Sequence, residues 1–346
     1  GVVSRFFHNH SVWNAISKGW FEGFDPRRIQ LIGYCTEPKA GETLGEWARS
    51  LLAARLDILI YPELGMDTLT AQLAALRLAP VQMVAWGHPE TSGLPTMDYY
   101  LSAELFEAGE AARYYSERLV TLPNLGVCCA RMTLEGDHRV DPAPFGLDPR
   151  RPILINPGTP CKYTPRHDGL FLELARRIDG CQLVFFDLPK YLPLCQARNA
   201  RLRRLFHAAG IPFEGRVFLL PWLAGETYHG LLRVATLMLD TIGFSGFNTV
   251  LQAVECGLPV VTLEGRFLRG RLGAGILRRL GLADIVTLDE TDYVALAIRL
   301  ATDAPFREAI RSRMAAALPE LFMDMRPIHA LQDFLEEVGK TGASTR

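Results

Sequence analysis

Between Leu239 and Thr262 the chain runs through an apolar stretch, a turn of small residues, an amphipathic stretch and a second apolar stretch. Few folds accept that order. It reads as a buried strand, a helix opening on Gly246-Phe-Asn-Thr249, and a strand entered through Gly257-Leu-Pro259, which is a parallel strand–helix–strand crossover. The first turn of such a helix points unpaired N–H groups, with the Asn248 and Thr249 side chains, at whatever precedes it. Those donors and the helix dipole together favour an anion. An ordinary crossover in any parallel-sheet protein carries the same pattern, so this segment leaves both readings open.

The alternation continues along the chain. Strands are expected at 29–35, 57–61, 81–86 and 119–122, with helices at 12–24, 44–54 and 68–78. A second series of strands falls at 153–156, 182–186, 217–220, 237–240 and 259–263. The expected class is α/β with parallel sheets. At 346 residues the chain suits two domains. The stretch 138–152, with Pro142, Pro144, Pro149, Pro152 and Gly146, is the linker candidate. This sets an N-terminal Rossmann-like domain at 1–140 and a second at 141–346, with a cleft between them. Beyond Asp289 the pattern is purely helical, through 292–301, 305–317 and 327–338. The chain opens at Gly1, without Met, just before Val2-Val3, as if within a strand, so upstream sequence is expected.

Thirty-seven basic residues against 38 acidic ones give a net charge of −1. That offers no bulk attraction to nucleic acid or anionic membrane. The clusters Arg201-Leu-Arg-Arg204 and Arg266, Arg269 and Arg271 read as solvated faces. No apolar run reaches the ~18–20 residues of a membrane span. Seven cysteines without framework spacing point to a reducing, cytoplasmic compartment. No Cys-x-x-Cys pattern suggests structural zinc, and no Asp-x-Asp pair suggests a sugar-transfer metal.

Four segments, in order, resemble the O-GlcNAc transferase and SPINDLY-like family of protein glycosyltransferases. They are Val3-Ser-Arg-Phe-Phe-His-Asn-His-Ser11, the stretch from Leu76 through Pro80-Val-Gln and Trp86-Gly-His-Pro-Glu-Thr-Ser-Gly93 to Tyr99, Tyr115-Ser-Glu-Arg-Leu-Val-Thr-Leu-Pro123, and Leu239 to Leu282. Tyr61-Pro-Glu-Leu-Gly-Met-Asp67 and Gly87-His-Pro89 look closer to the bacterial adhesin N-glucosyltransferases of the same superfamily. The resemblance implies a GT-B fold and an inverting, metal-independent transfer from a UDP-sugar to a polypeptide side chain. It also implies a last helix, 327–338, that returns to the first lobe, and upstream helical repeats, outside this chain, as a place of acceptor recognition.

Residue by residue, the resemblance assigns Lys162, in Asn156-Pro-Gly-Thr-Pro-Cys-Lys162, to the diphosphate, with Asn248 and Thr249 beside it. Trp222, Leu223 and Tyr228 correspond to the uracil-holding segment. Phe247 stands where relatives carry His or a small polar residue, Gln252 where many carry a ribose-binding acid, and Thr159 where a larger polar residue is usual. His10 and His88 are the proton-accepting candidates, since imidazole titrates near neutral pH. Glu63 and Asp67 are acceptor-side candidates.

The expected activity is GlcNAc transfer to Ser/Thr, with no cofactor beyond the UDP-sugar. Glucose transfer to Asn is the nearest variant. A UDP-sugar epimerase, or a degenerate accessory protein that binds the nucleotide sugar, are the alternatives that the Phe247, Gln252 and Thr159 departures keep open.

Overall fold

The computed structural model describes residues 1–8, 10–37, 43–131, 136 and 138–343. Its contacts gather into two units, Gly1–Ala130 with Phe322–Arg346, and Arg131–Leu321.

The first unit holds strands β1 (Val2–Ser4), β2 (Gly33–Cys35), β3 (Ile58–Tyr61), β4 (Val81–Ala85), β5 (Tyr99–Ala103) and β6 (Arg118–Leu122). They form one sheet in the order β2-β1-β3-β4-β5-β6, every pairing parallel. Helices cover the faces of such a sheet, which is why β3 reads as a continuous apolar run and β4 departs from one only at the buried Gln82. Two helices start on strong caps. Thr43 and Glu46 make a reciprocal capping box ahead of Leu44–Ala53, and the Asp67 carboxylate accepts from Thr70 ahead of Thr68–Ala74.

Residues 322–343, which the 141–346 boundary assigned to the second domain, pack with this first unit instead. The reason is the apolar stripe Ile328, Leu331, Leu335 and Val338 of the final helix Arg326–Ala343, which is buried and lies against β4 and β6. Gln332 secures it by accepting from the Asp25 N–H at 2.8 Å. The helix thus makes the return expected of 327–338.

The second unit holds β7 (Ile153–Asn156), β8 (Gln182–Asp187), β9 (Val217–Pro221), β10 (Leu237–Leu239), β11 (Val260–Leu263) and β12 (Val286–Thr287). Their order is β12-β11-β10-β7-β8-β9, again all parallel. Successive crossovers run outward in opposite directions from β7 and β10. That makes the gap beyond their carboxyl ends the switch point where doubly wound sheets bind ligands. The corresponding neighbours in the first unit are β1 and β3.

The α/β class with two Rossmann-like sheets is as expected. Strands β5 and β12 escaped the sequence reading. In β5, Tyr-Tyr-Leu-Ser-Ala carries a buried polar Ser102 that bonds the Glu107 carboxylate at 2.5 Å, and this breaks the apolar run. Strand β12 is two residues long and leaves no periodicity to read.

Candidate functional site

Strand β10 delivers Asp240 to the switch point of the second unit. Its carboxylate is 4% exposed and accepts four hydrogen bonds, from Thr241 N (2.9 Å), Gly246 N (2.8 Å), Ser245 Oγ (2.5 Å) and Thr262 Oγ1 (2.8 Å). The acid therefore gathers the whole 241–246 turn around one point. Ser245 Oγ in turn accepts from Gly273 N at 2.7 Å, and Tyr293 OH donates to the Asp240 carbonyl at 3.0 Å. Burial pushes the Asp240 carboxyl above the usual range, while Ser245, Gly246, Thr262 and the Lys162 charge work against it.

That turn fixes where the helix Asn248–Glu255 begins. Phe247, at the cap position, supplies no side-chain cap, so the first-turn N–H groups have no such acceptor. Asn248 Oδ1 is buried with no hydrogen-bond partner among the described residues. Thr249 and Gln252 are half-buried on the same helix.

From the neighbouring strand β7, the loop 157–162 brings a cation to this turn. Lys162 Nζ donates to the Ser245 carbonyl at 3.1 Å and lies 4.1 Å from the centre of the Phe244 ring. Burial lowers the ammonium pKa, and the nearby Asp240 opposes that shift. Tyr163 pins the loop, its hydroxyl donating to Asn156 O at 2.8 Å and accepting from Gly158 N at 3.0 Å. A Cβ at Gly158 would run into the Thr241 methyl, so the loops after β7 and β10 touch with no room for a side chain. Thr159 precedes the turn Pro160–Lys162, and its hydroxyl lies 3.5 Å from the Cys161 sulfur. A pocket lined by Asn156, Lys162, Tyr163, Asp240, Thr241 and Tyr293 occupies the switch point. Asn156 Oδ1 is also buried without a partner among the described residues.

The remaining expected donor residues, Trp222 and Leu223 just after β9 and Tyr228 in the helix Gly225–Val234, lie outside that pocket lining. Trp222 is 47% exposed and meets Phe186 only edge-on at 6.5 Å, so core packing does not account for it. Leu223 is half-buried. Tyr228 is buried, and its hydroxyl has no partner among the described residues.

In the first unit, β1 and β3 bring Arg5, Glu63 and Asp67 together. Arg5 Nη1 pairs with Asp67 Oδ1 at 2.8 Å, and the Arg5 N–H donates to Glu63 Oε1 at 3.0 Å. Burial alone pushes the Asp67 carboxyl up, but Thr70 and Arg5 together hold it below the usual range. Glu63 is fully buried, and desolvation raises its carboxyl from 4.5 to about 7. His88 follows β4, its ring lying over Gly65 in the loop after β3. His10 stacks on Phe6 with ring centres 3.9 Å apart, and its Nδ1 accepts from Val12 N at 3.2 Å. The segment does not stay extended: His10 N bonds His8 O at 2.6 Å, and the two imidazoles lie 5.9 Å apart. His8 therefore shares a neighbourhood with His10.

Sequence reasoning passed over Asp240, Tyr163, Tyr293 and Arg5. Asp240 had a usable signal: an acid ending an apolar strand, with Thr241, Ser245 and Thr262 within reach of it. The tyrosines had none, because their hydroxyls meet backbone atoms, at Asn156 and Gly158 for Tyr163 and at Asp240 for Tyr293, and a backbone partner leaves no mark in the sequence. Among the described residues, no three His, Cys, Asp or Glu groups gather closely enough to hold a metal. Among those residues, too, no helix is long and apolar enough to cross a membrane.

Residues 191–323 match the model of glycosyl transferase family 41. The chain is 30% identical over 285 residues to a rice protein named as a probable UDP-N-acetylglucosamine–peptide N-acetylglucosaminyltransferase SPINDLY, covering 80% of this chain and 28% of that protein. It is 27% identical over 315 residues to a UDP-glucose:protein N-beta-glucosyltransferase of Actinobacillus pleuropneumoniae, covering 85% of this chain and 46% of the relative. The chain thus spans less than half the length of either. A mutant of the Thermobaculum terrenum O-GlcNAc transferase superposes over 100% of this chain and 68% of its own, with a TM-score of 0.85 at 22% identity. At that identity the likeness bears on the fold, which is the expected GT-B type. The resemblance read from the sequence holds.

Proposed function

We propose, from this kinship with glycosyl transferase family 41, that the chain is the catalytic region of an inverting, metal-independent glycosyltransferase. It moves a sugar, GlcNAc foremost, from a UDP-sugar to Ser/Thr side chains of a polypeptide. One observation carries the reading. Lys162 is held on the Ser245 carbonyl at the β7/β10 switch point, three residues before the helix that opens at Asn248. A departing diphosphate needs fixed positive charge, and an ammonium beside uncapped N–H groups supplies it without reorganisation.

In this reading the acceptor oxygen forms its bond to the anomeric carbon as the carbon–phosphate oxygen bond breaks. UDP leaves with the bonding pair, and the acceptor's proton passes to His10 or His88. Attack from the face opposite the leaving group inverts the anomeric centre. Asn248 and Thr249 hold the phosphates alongside Lys162. Trp222, Leu223 and the orphaned Tyr228 hydroxyl serve the uracil. Gln252 meets the ribose as a neutral amide, and at Phe247 only the backbone remains to donate. Asp67 is occupied by Arg5 and by its helix cap, so it acts by positioning Arg5. All seven cysteines are free, which fits work in the reducing cytoplasm.

Glucose transfer to Asn is the second reading, favoured by the 85% coverage of this chain by the N-glucosyltransferase relative. Intact-mass spectrometry of polypeptides incubated with the chain and either UDP-GlcNAc or UDP-glucose separates the two, with fragmentation locating the modified residue. Activity should persist in excess EDTA. Donor turnover with no mass added to any polypeptide rejects both readings.

A further inference from the structure

Two stretches that stand out in the sequence, Gly87-His-Pro-Glu-Thr-Ser-Gly93 after β4 and Tyr115-Ser-Glu117 before β6, meet in the fold. The buried Glu117 carboxylate accepts from Thr91 Oγ1 at 2.7 Å, from Ser92 N at 2.7 Å, from Ser92 Oγ, and from Ser116 Oγ at 3.1 Å. Thr91 Oγ1 accepts in turn from Ser116 N at 3.1 Å, and Ser92 Oγ from Leu94 N at 3.2 Å. Burial pushes the Glu117 carboxyl up, but the Ser92 and Thr91 bonds hold it below the usual range. The hub is therefore an anion at neutral pH, and each group that reaches it from the 87–93 loop is a donor.

Tyr115 supports the same loop from another side. Its ring lies 4.5 Å, centre to centre, from that of the fully buried Tyr100, and its hydroxyl donates to Glu107 at 2.6 Å. Tyr100 OH donates at 3.2 Å to the His88 carbonyl, which also accepts from Glu90 N at 2.8 Å. One residue earlier, Gly87 N donates to Pro62 O at 3.0 Å, and a Cβ there would lie 2.4 Å from that same oxygen. The His88 backbone is thus held before, at and after the residue: by the loop that follows β3, by Tyr100, and by Glu117 through Thr91 and Ser92. Only the side-chain torsions remain to place the half-buried imidazole, whose ring lies over Gly65.

Resting on the glycosyltransferase reading, we propose that Glu117 and Tyr100 are positioning residues for His88, fixing its imidazole where it takes the proton of the acceptor hydroxyl. Both act through the backbone of the 87–93 loop. A proton acceptor works only within hydrogen-bond reach of its donor, and a displacement of about 1 Å can cost ~10² in rate. The two residues therefore govern turnover and leave donor binding untouched.

The test uses the full chain with ¹³C-labelled histidine rings, as wild type, Glu117→Gln, Tyr100→Phe, His88→Ala and the two double variants with His88→Ala. Tyr100→Phe keeps the buried ring and loses only the hydroxyl, so it answers even where Glu117→Gln fails to fold. In the magnetic resonance spectrum, the imidazole signal that vanishes in His88→Ala belongs to His88. It should shift or broaden in Glu117→Gln and in Tyr100→Phe, while the histidines of the second unit hold still. By mass spectrometry of the polypeptide, kcat should fall at least about tenfold in Glu117→Gln and several-fold in Tyr100→Phe, with the donor KM unchanged. Added to His88→Ala, neither substitution should cost more than about a further twofold, because the group they position is gone. A His88 signal unmoved in both variants overturns the proposal. So does a full cost in the His88→Ala background, which is what a merely structural role predicts. The ring signals need no donor. A moved signal with no transfer to any polypeptide therefore rejects the assigned reaction and retains the clamp, and a moved signal with unchanged kcat does the reverse.

Discussion

Replacing Glu63 with glutamine should stabilise the protein above neutral pH and change little in acid. The Glu63 side chain is fully buried; Oε1 takes the Arg5 N–H, and Oε2 has no partner among the described residues. Desolvation lifts the carboxyl from 4.5 to about 7 and the Asp67 charge adds to it, while Ser4 and the Arg5 N–H pull the other way. Between those two pH values the folded protein keeps a proton that the unfolded chain has lost. The stability this confers is fully present below pH 4.5 and disappears as the pH rises through the folded value. At roughly 1.4 kcal/mol per pH unit, the interval amounts to about 3 kcal/mol.

Glutamine keeps an acceptor for Arg5 and never ionises, so the variant escapes that loss. Urea unfolding followed by tryptophan fluorescence, repeated from about pH 4.5 to 8, reads it out. The gain of Glu63→Gln over wild type should climb by about 1.4 kcal/mol per unit up to pH 7 and then level off. Parallel stability curves for the two proteins would refute the reasoning. They would mean that Glu63 ionises in the fold as easily as in water, through a partner for Oε2.

Three further outcomes are expected. Lys162→Ala should cut kcat by about 10²–10³ with the fold retained, because one preorganised charge is lost as the diphosphate departs; a fall below about fivefold removes Lys162 from the reaction. His10→Ala and His88→Ala should each slow transfer, and one of them should abolish the acidic limb of the pH–rate profile, with exposed His138→Ala as control; identical profiles in all three exclude both histidines as the base. Asp240→Asn should lower stability by about 1–3 kcal/mol in urea titration, since an amide NH₂ then faces donors where an oxygen accepted them; an unchanged midpoint contradicts the hub role.

The second sheet was largely legible. Apolar runs such as Ile153–Asn156 and Gln182–Phe186 are buried on both faces, and a parallel sheet leaves that mark directly in the sequence. Asn248 was singled out by a local signal, as a residue opening a helix after a strand, whereas Lys162 was assigned by resemblance. What joins them is not local: the Ser245 carbonyl that Lys162 meets is 83 residues away. The return of the final helix to the first unit could be expected from resemblance, whereas the 140/141 boundary followed prolines, which mark turns rather than contacts. Trp222 was assigned by resemblance, because an aromatic after a strand looks the same in sequence whether it faces core or solvent, and only the structure shows it exposed.

The packing around Asp240 has a consequence for how this protein sorts its substrates. A Cβ at Gly273 would sit 2.6 Å from Asp240 Oδ2, and one at Gly158 would strike Thr241. The turn is wedged from both sides, so it cannot swing to greet a ligand, nor can it be remodelled one side chain at a time. A site that cannot yield discriminates as a gauge does, by what its fixed opening admits. On the proposed reading, new donor preferences then come from its periphery, at Trp222 or Gln252, whose exposed and half-buried side chains can change without crowding the centre.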